Sequence, residues 1–257
     1  MHQFDSRSGA ALTQLKIENL SKSPTDRLAT KLASIGAKLL ELSGMSGVSV
    51  LTDFVLDLKG IAADKDETNL IFFGENVVSD IGDLYRIYKE LKDQLDEVVR
   101  SNRFGVVMAN ATLHVPRAND PRCLKLLSLV IANSVKLNDL NPAALDEMMR
   151  AAVELREQDV DLLKKIYDSQ EGIIRRGGRD STNLYSEVQS AWGEFLKSGS
   201  LRDVKQLTYR SSFARLESHG LVQQISASQF GIGQEPYMLL EEGAEFIKRI
   251  KEIGDKN

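Results

Sequence analysis

Residues 200–250 read SLRDVKQLTYRSSFARLESHGLVQQISASQFGIGQEPYMLLEEGAEFIKRI, and this stretch decides the fold of the C-terminal part of the chain. Apolar residues at helical spacing predict a short helix over 201–207 after Ser200 and a second helix that Thr208 caps. Gly220 stands where a left-handed residue ends such a helix. Two β-type runs follow, at 221–226 and 237–240, and a last helix begins at Glu241.

The junction between the two predicted helices is very short, so the helices have to cross. The second helix then keeps one side for the core and turns the other outward. Tyr209, Arg210, Ser211 and Arg215 are predicted on the outward side. The loop over 227–236 joins the two strands and would project as a flap beside that helix.

Three motifs in this stretch resemble a known family. They are RLESHGLV at 215–222, YML at 237–239 and EGAEF at 242–246. Together they resemble the bacterial winged helix-turn-helix module, in which a helix end leads into the wing and a further helix follows. The resemblance covers about the last quarter of the chain. More loosely, the whole chain is similar to uncharacterised bacterial helical proteins that end in such a module.

The composition is that of an ordinary globular protein, with 27% charged and 42% apolar residues among 257. Aromatic residues make up only 6%, and β-branched runs are rare. The fold class is therefore predicted to be mostly α. It would consist of a helical N-terminal bundle and a C-terminal winged-helix (α+β) domain with a small β-hairpin.

The boundaries follow from changes in composition and periodicity. We expect a flexible arm over 1–24, a helical bundle over 25–168, a linker over 169–181 and the winged-helix-like domain over 182–257. The linker is predicted because three glycines and three arginines interrupt the helical periodicity there. A single cysteine, Cys123, excludes an internal disulfide and fits a cytoplasmic protein. Neither a membrane span nor a signal core is found.

Within the bundle, the most regular pattern lies between Gly74 and Arg100. Apolar residues alternate there at spacings of four and three, which predicts a long helical seam. Its members are Val77, Ile81, Leu84, Tyr88, Leu91, Leu95 and Val98. Two interpretations stay open: packing inside one bundle, or a coiled coil between two subunits of a homodimer. Asp93, Asp96 and Glu97 are expected on the solvated side.

Further helices are predicted over 25–42, 48–61, 121–136, 183–197 and, as one or two helices, over 142–168. Phe104 to Ala118 is ambiguous between helix and strand, with Pro116 as an interruption. A search for catalytic or cofactor chemistry gives no candidate residue. His2, His114 and His219 have no metal-ligand spacing, Cys123 is expected to be a small core residue, and Gly231-Ile232-Gly233 is too short for a dinucleotide motif.

The sequence therefore predicts no enzyme, no cofactor and no metal site. The leading hypothesis is a DNA-associated or transcriptional regulator that acts through the C-terminal winged helix. Its expected partner is double-stranded DNA. Its candidate nucleic-acid-binding residues are Arg202, Lys205, Thr208, Tyr209, Arg210, Ser211 and Arg215.

Charge weighs against that hypothesis, because residues 181–257 hold nine Lys and Arg against ten Asp and Glu, a net charge of −1. The alternative is an interaction or adaptor protein, for example one related to phage defence or mobile elements. In that case the bundle would recognise another protein and the winged helix would be structural.

Overall fold

The computed structural model describes residues 47–62, 67–175, 181–198, 206–225 and 236–254, together with Ile35 and Leu39. In this part the chain is mostly helical and has one two-stranded antiparallel sheet near the C-terminus. Contacts divide the chain into two compact units. The first consists of residues 1–154 and 249–257, and the second consists of residues 155–248.

The described helices of the first unit begin with α1 (Val48–Ala62), α2 (Glu67–Ile87) and α3 (Lys92–Arg100). They continue with α4 (Asn102–His114), α5 (Pro121–Lys136) and α6 (Pro142–Glu154). Short 3-10 turns lie at Lys89–Leu91 and Val115–Arg117. α2 packs against α1 and α5, and α6 packs against α4 and α5. α2 and α5 are therefore the centre of this bundle.

Several helix predictions for the bundle are confirmed. α1 and α5 occupy the segments predicted for them, and two helices, α6 and α7, cover the region predicted to hold one or two. Of the first predicted helix, Ile35 and Leu39 are helical and fully buried, and the rest lies outside the described residues. The ambiguous stretch after Phe104 is helical. Ser101 caps it by accepting a hydrogen bond from the Phe104 N–H at 3.2 Å.

The seam from Gly74 to Arg100 is not one continuous helix, which corrects the prediction. α2 ends at Ile87, and Tyr88 has φ −107° and ψ 59°, outside the helical region. At the break, the Lys136 ammonium donates to the Tyr88 hydroxyl at 2.7 Å and lies 4.4 Å from the ring centroid. The seam residues on α2 and α3 are nevertheless buried as predicted.

Asp96 was expected on the solvated side of the seam, and the structure buries it. Its Oδ1 accepts hydrogen bonds from the Tyr85 hydroxyl at 2.8 Å and from the Gly47 N–H at 3.0 Å. Both partners are distant in sequence, so helical periodicity on α3 could not identify them. Burial and the Asp96 carboxylate raise the pKa of Tyr85, which therefore stays protonated as a donor.

A second buried carboxylate joins α2 to α5. Asp80 accepts from the Lys125 ammonium at 2.5 Å and from the Ser128 hydroxyl at 2.6 Å. Burial raises the pKa of Asp80, and the two hydrogen bonds offset only part of that rise. Burial lowers the pKa of Lys125, but Asp80 and Glu252 outweigh it and leave the pKa above its ordinary value. Glu252 belongs to the C-terminal segment of the same unit.

That C-terminal segment is held on α5 by buried polar groups. The Asn133 amide donates to the carbonyls of Arg249 at 2.8 Å and Lys251 at 2.9 Å. The Arg249 guanidinium, almost fully buried, donates to the Ser134 hydroxyl at 2.7 Å and to Asp139. The end of the chain is thus an integral part of the first unit.

The second unit is built from α7 (Glu157–Arg175), α8 (Ser181–Lys197), α9 (Gln206–Ser218) and α10 (Glu241–Arg249), with Arg249 counted in the first unit. Strands β1 (Val222–Gln224) and β2 (Tyr237–Leu239) complete it. α7 packs against α8, α9 and β2. The observed division falls at Glu154/Leu155, and Ser169–Arg175, predicted as linker, is the last part of α7. Residues 176–180 lie outside the described part.

Candidate nucleic-acid interface

α9 is the element on which the predicted interface depends. It buries Ser212, Phe213 and Leu216, and it exposes Arg210 and Ser211. Ala214, Glu217 and Ser218 are also exposed, at helical spacing from Arg210 and Ser211. The helix therefore has one buried side and one outward side, as the sequence predicts.

The end of α9 is fixed by backbone hydrogen bonds. Gly220 has φ +64°, which confirms the predicted left-handed residue. The Gly220 N–H donates to the Glu217 carbonyl, and the Leu221 N–H donates to the Leu216 carbonyl, each at 2.9 Å. These two bonds form the Schellman motif, which turns the chain directly from helix into strand.

The predicted hairpin is confirmed within the described residues. β1 and β2 pair antiparallel, with Gln223 opposite Met238. The predicted loop over 227–236, the proposed wing, lies outside the described residues except for Pro236. On the other edge of β2, Gln170 of α7 donates through Nε2 to the Tyr237 carbonyl and accepts through Oε1 from the Leu239 N–H, both at 2.9 Å. A buried side-chain amide thus takes the place of a neighbouring strand.

An aromatic cluster packs against the buried side of α9. Phe213 of α9 stacks on Tyr237 of β2, with ring centroids 3.9 Å apart. Trp192 of α8 lies 5.7 Å from Phe213 and 5.8 Å from Tyr237, centroid to centroid. The cluster joins the helices and the hairpin through contacts that favour aromatic pairs. It fixes the position of α9 relative to the hairpin.

Arg215 occupies a position that the sequence did not indicate. Its Nε and Nη2 donate to the two carboxylate oxygens of Asp159, each at 2.7 Å. Asp159 is fully buried, and Arg215 is about one quarter exposed at 26% of its side chain. This bidentate salt bridge holds α9 on the first turn of α7.

Asp159 also completes the N-terminus of α7. Its Oδ2 accepts from the Arg156 N–H at 2.9 Å, so one carboxylate caps a helix and binds a guanidinium. Burial raises the pKa of Asp159, but the hydrogen bonds from Arg215, Ser212 and Arg156 outweigh it and leave the pKa below 3.8. The bond to Asp159 likewise raises the pKa of Arg215. The pair is fully ionised at neutral pH.

The structure brings together only part of the predicted nucleic-acid site. Arg210 and Ser211 lie exposed on α9, and Arg215 is bound to Asp159. Thr208 lies inside α9, which begins at Gln206, so it does not cap the helix as predicted. The side chains of Thr208 and Tyr209 lie outside the described part, as do Arg202 and Lys205.

Asp159 and Gln170 are the residues that the sequence analysis missed. Both lie on α7, far in sequence from the segment that carried the winged-helix resemblance. Arg156 is not one of the usual N-cap residues, so its spacing of three residues from Asp159 did not mark a capping box in the sequence. Nothing in the sequence indicates that this carboxylate pairs with Arg215 or that Gln170 pairs with β2.

No protein-family model, curated protein or solved structure matches this chain. Among the described residues, no group of three or more His, Cys, Asp or Glu side chains is placed to hold a metal ion. Cys123 is a free thiol in the core, and burial together with Asp120 raises its pKa. None of the helices in the described ranges combines the length and apolar character needed to cross a bilayer. The outward side of α9 therefore remains the candidate site.

Proposed function

We propose that the second unit is a winged-helix module and that the protein is a DNA-associated or transcriptional regulator. One observation carries this proposal: α9 turns Arg210 and Ser211 outward and leads through a tight helix end into an antiparallel hairpin. In helix-turn-helix proteins, the helix in this position enters the major groove, and the first residues of that helix contact base edges. Arg210 and Ser211 are the fifth and sixth of the 13 residues of α9, in its N-terminal half.

The small residues on the same side favour a close approach to DNA. Ser211, Ala214 and Ser218 are exposed and short, so the backbone of α9 could lie deep in a groove about 12 Å wide. Arg210 would then donate to a base edge or a phosphate, with Thr208 and Tyr209 beside it. Arg202 and Lys205, which precede α9 in the chain, would neutralise phosphates.

The role proposed for Arg215 follows from its salt bridge. Because Asp159 accepts two of its hydrogen bonds, its charge is largely neutralised inside the protein. Arg215 would therefore position α9 on α7, and a contact with phosphate would be secondary. Three cations remain for DNA, namely Arg202, Lys205 and Arg210.

Affinity for random-sequence duplex DNA, measured by fluorescence anisotropy at several salt concentrations, tests the proposal. Three neutralised phosphates predict a log–log salt slope of about −3. Arg210→Ala should weaken binding at low salt and reduce the slope by about 1. Lys164→Ala is the matched control, since Lys164 is an exposed cation on α7 of the same unit. Loss of affinity that is equal in both variants would contradict a specific role for α9.

A protein-docking role is the second candidate, and Glu217 favours it. This carboxylate lies exposed on the outward side of α9, close to the end of the helix, and accepts from the Gln224 N–H at 3.1 Å. A negative charge there repels phosphate but is compatible with a protein partner. If no DNA binding is found even at low ionic strength, protein docking is the candidate that stays.

The coiled-coil homodimer is a separate proposal, and light scattering at increasing protein concentration tests it.

A further inference from the structure

α4 has an apolar side that faces solvent. It buries Phe104, Val107, Met108 and Ala111 against the first unit. On the opposite side, Val106 is 41% exposed and Leu113 is 71% exposed. We call the residues Gly105, Val106, Ala109, Leu113 and Pro116, all exposed, the α4 outer face.

The spacing of the α4 outer face is that of a helix-binding stripe. Val106, Ala109 and Leu113 stand at i, i+3 and i+7, so they line up along the helix. A Cβ added at Gly105 would meet no atom within 4 Å, so another backbone could approach closely there. Single exposed apolar residues are common on surfaces, whereas two large ones on one helix stripe are a typical interaction site.

The charged residues of α4 and of the 3-10 turn after it are all positive. Residues 98–119 contain no Asp or Glu, although the whole chain has a net charge of −4. Arg103 and Arg117 are exposed and flank the stripe. Two carboxylates lie close to the C-terminal end of α4, and each is held by a hydrogen-bond partner. Asp120 accepts from the Arg122 N–H at 2.8 Å, and Asp146 lies 2.9 Å from the His114 Nε2.

We propose that the α4 outer face binds an acidic amphipathic helix of a partner protein. Charge complementarity decides the occupant, because an apolar stripe beside arginines matches apolar anchors flanked by carboxylates. α4 has 13 residues and is about 20 Å long, which accommodates roughly four turns of a partner helix. Leu113, the most exposed apolar residue of the stripe, is the main anchor.

Two other occupants fit the charges less well. A second copy of the chain, packed antiparallel on the same face, would bring Arg103 of one subunit near Arg117 of the other. Like charges in that arrangement oppose association. Residues 1–34 of the chain itself hold five Lys or Arg and three Asp or Glu, a net charge of +2. They therefore do not complement the arginines either.

The test uses the full-length protein and two synthetic peptides labelled with fluorescein. One peptide has Leu at i, i+3 and i+7 with Glu at the flanking positions, and the other has Lys in place of Glu. Anisotropy should show that the Glu peptide binds at least about tenfold more tightly than the Lys peptide. Higher salt should reduce the difference, because the arginines are exposed.

Point variants locate the binding on α4. Leu113→Gln should weaken binding of the Glu peptide by about tenfold, as expected for an anchor residue. Arg103→Ala should weaken it several-fold and reduce its salt dependence. Leu137→Gln is the matched control and should have no effect, because Leu137 is a similarly exposed leucine (53%) in the same unit. Circular dichroism checks that each variant stays helical.

Four results would overturn the proposal. These are no binding of the Glu peptide, equal affinity for the two peptides, affinity unchanged by Leu113→Gln, and equal effects of Leu113→Gln and Leu137→Gln. Light scattering distinguishes a second copy, which would give a dimer that Leu113→Gln dissociates. Sedimentation with anionic phospholipid vesicles distinguishes a lipid surface, because the wild-type protein would then bind the vesicles and the Leu113→Gln variant would not. Either outcome would assign the face to a different occupant.

Discussion

Asp159 shows how one buried carboxylate can hold two helices. It is fully buried, caps the first turn of α7 and accepts from two nitrogens, Nε and Nη2, of Arg215 on α9. A buried charge is tolerated only when it is paired and hydrogen-bonded. Removing one partner therefore lowers the free energy of unfolding by more than the net contribution of the salt bridge, since the other charge is left without compensation.

We predict that Asp159→Asn destabilises the second unit by about 3 kcal/mol, the lower end of the usual range because Arg215 keeps some exposure to water. Trp192 is the one tryptophan of the chain and lies in this unit, so urea unfolding followed by its fluorescence measures the change. Asp161→Asn is the control, because Asp161 is exposed on the same helix. A difference below about 0.5 kcal/mol between the two variants would contradict the role of Asp159.

The same pair predicts how stability depends on pH. The pKa of Asp159 is below 3.8 in the folded protein, so its carboxylate contributes stability above that value. This contribution is lost as the pH falls from 3.8 through the lower folded pKa. Wild type should therefore lose more stability than Asp159→Asn on acidification in this window. Parallel acid profiles for the two proteins, from the Trp192 signal, would refute the assignment.

At the scale of elements, α10 approaches the hairpin closely at Gly243. A Cβ added at Gly243 of α10 would lie 2.2 Å from the Leu221 carbonyl oxygen and 2.8 Å from Leu239 Cδ1. The carbonyl belongs to the backbone just before β1 and cannot move aside easily. Gly243 thus allows α10 to pack against the hairpin, and it lies in the motif that carried the family resemblance.

We predict that Gly243→Ala destabilises the second unit by about 1–3 kcal/mol through overpacking. Gly193→Ala on α8 is the matched control, because an added Cβ there meets no atom within 4 Å. Alanine's higher helix propensity should make that variant neutral or more stable by up to about 1 kcal/mol. Thermal unfolding of both variants by Trp192 fluorescence gives the comparison. Equal midpoints would show that α10 can shift away from Leu221.

Local signals explain which elements were predictable from the sequence. The end of α9 depends on Gly220, and the start of α5 on Asp120 and Pro121, so neighbouring residues contain the information. Lys136, which contacts Tyr88 at the break, lies 48 residues away in sequence. The donors to the buried Asp96, Gly47 and Tyr85, lie 49 and 11 residues away. Helical periodicity alone predicts a helix that continues through Tyr88 and an Asp96 side chain that is exposed to water.

The candidate site was predictable to a similar extent. Helical periodicity placed Arg210 and Ser211 on the outward side of α9 because Phe213 and Leu216 must face the core. It placed Arg215 outward as well, since nothing near this residue indicates a buried carboxylate on another helix. A pairing across 56 residues of sequence can be found only in the folded chain.

At the scale of the whole molecule, the chain leaves the first unit after Glu154 and re-enters it at Arg249. The sequence predicted that the last residues belong to the C-terminal domain over 182–257, because the interruption of helical periodicity at 169–181 indicates the boundary. The partners of Arg249 and of the following carbonyls are Asn133, Ser134 and Asp139 on or just after α5, more than 100 residues earlier. The described residues 249–254 therefore act as a part of the first unit.

We predict that ending the chain after Lys248 loosens α5, because Asn133 loses two carbonyl acceptors and Ser134 loses the Arg249 donor. Each buried group left without a partner costs about 1–3 kcal/mol, so hydrogen exchange over residues 121–136 should accelerate by about tenfold or more. A chain ending after Gly254 keeps these contacts and should exchange like the full-length protein. If both shortened chains protected α5 equally, the C-terminal segment would be only an attachment to the first unit, since its removal would leave the stability of α5 unchanged.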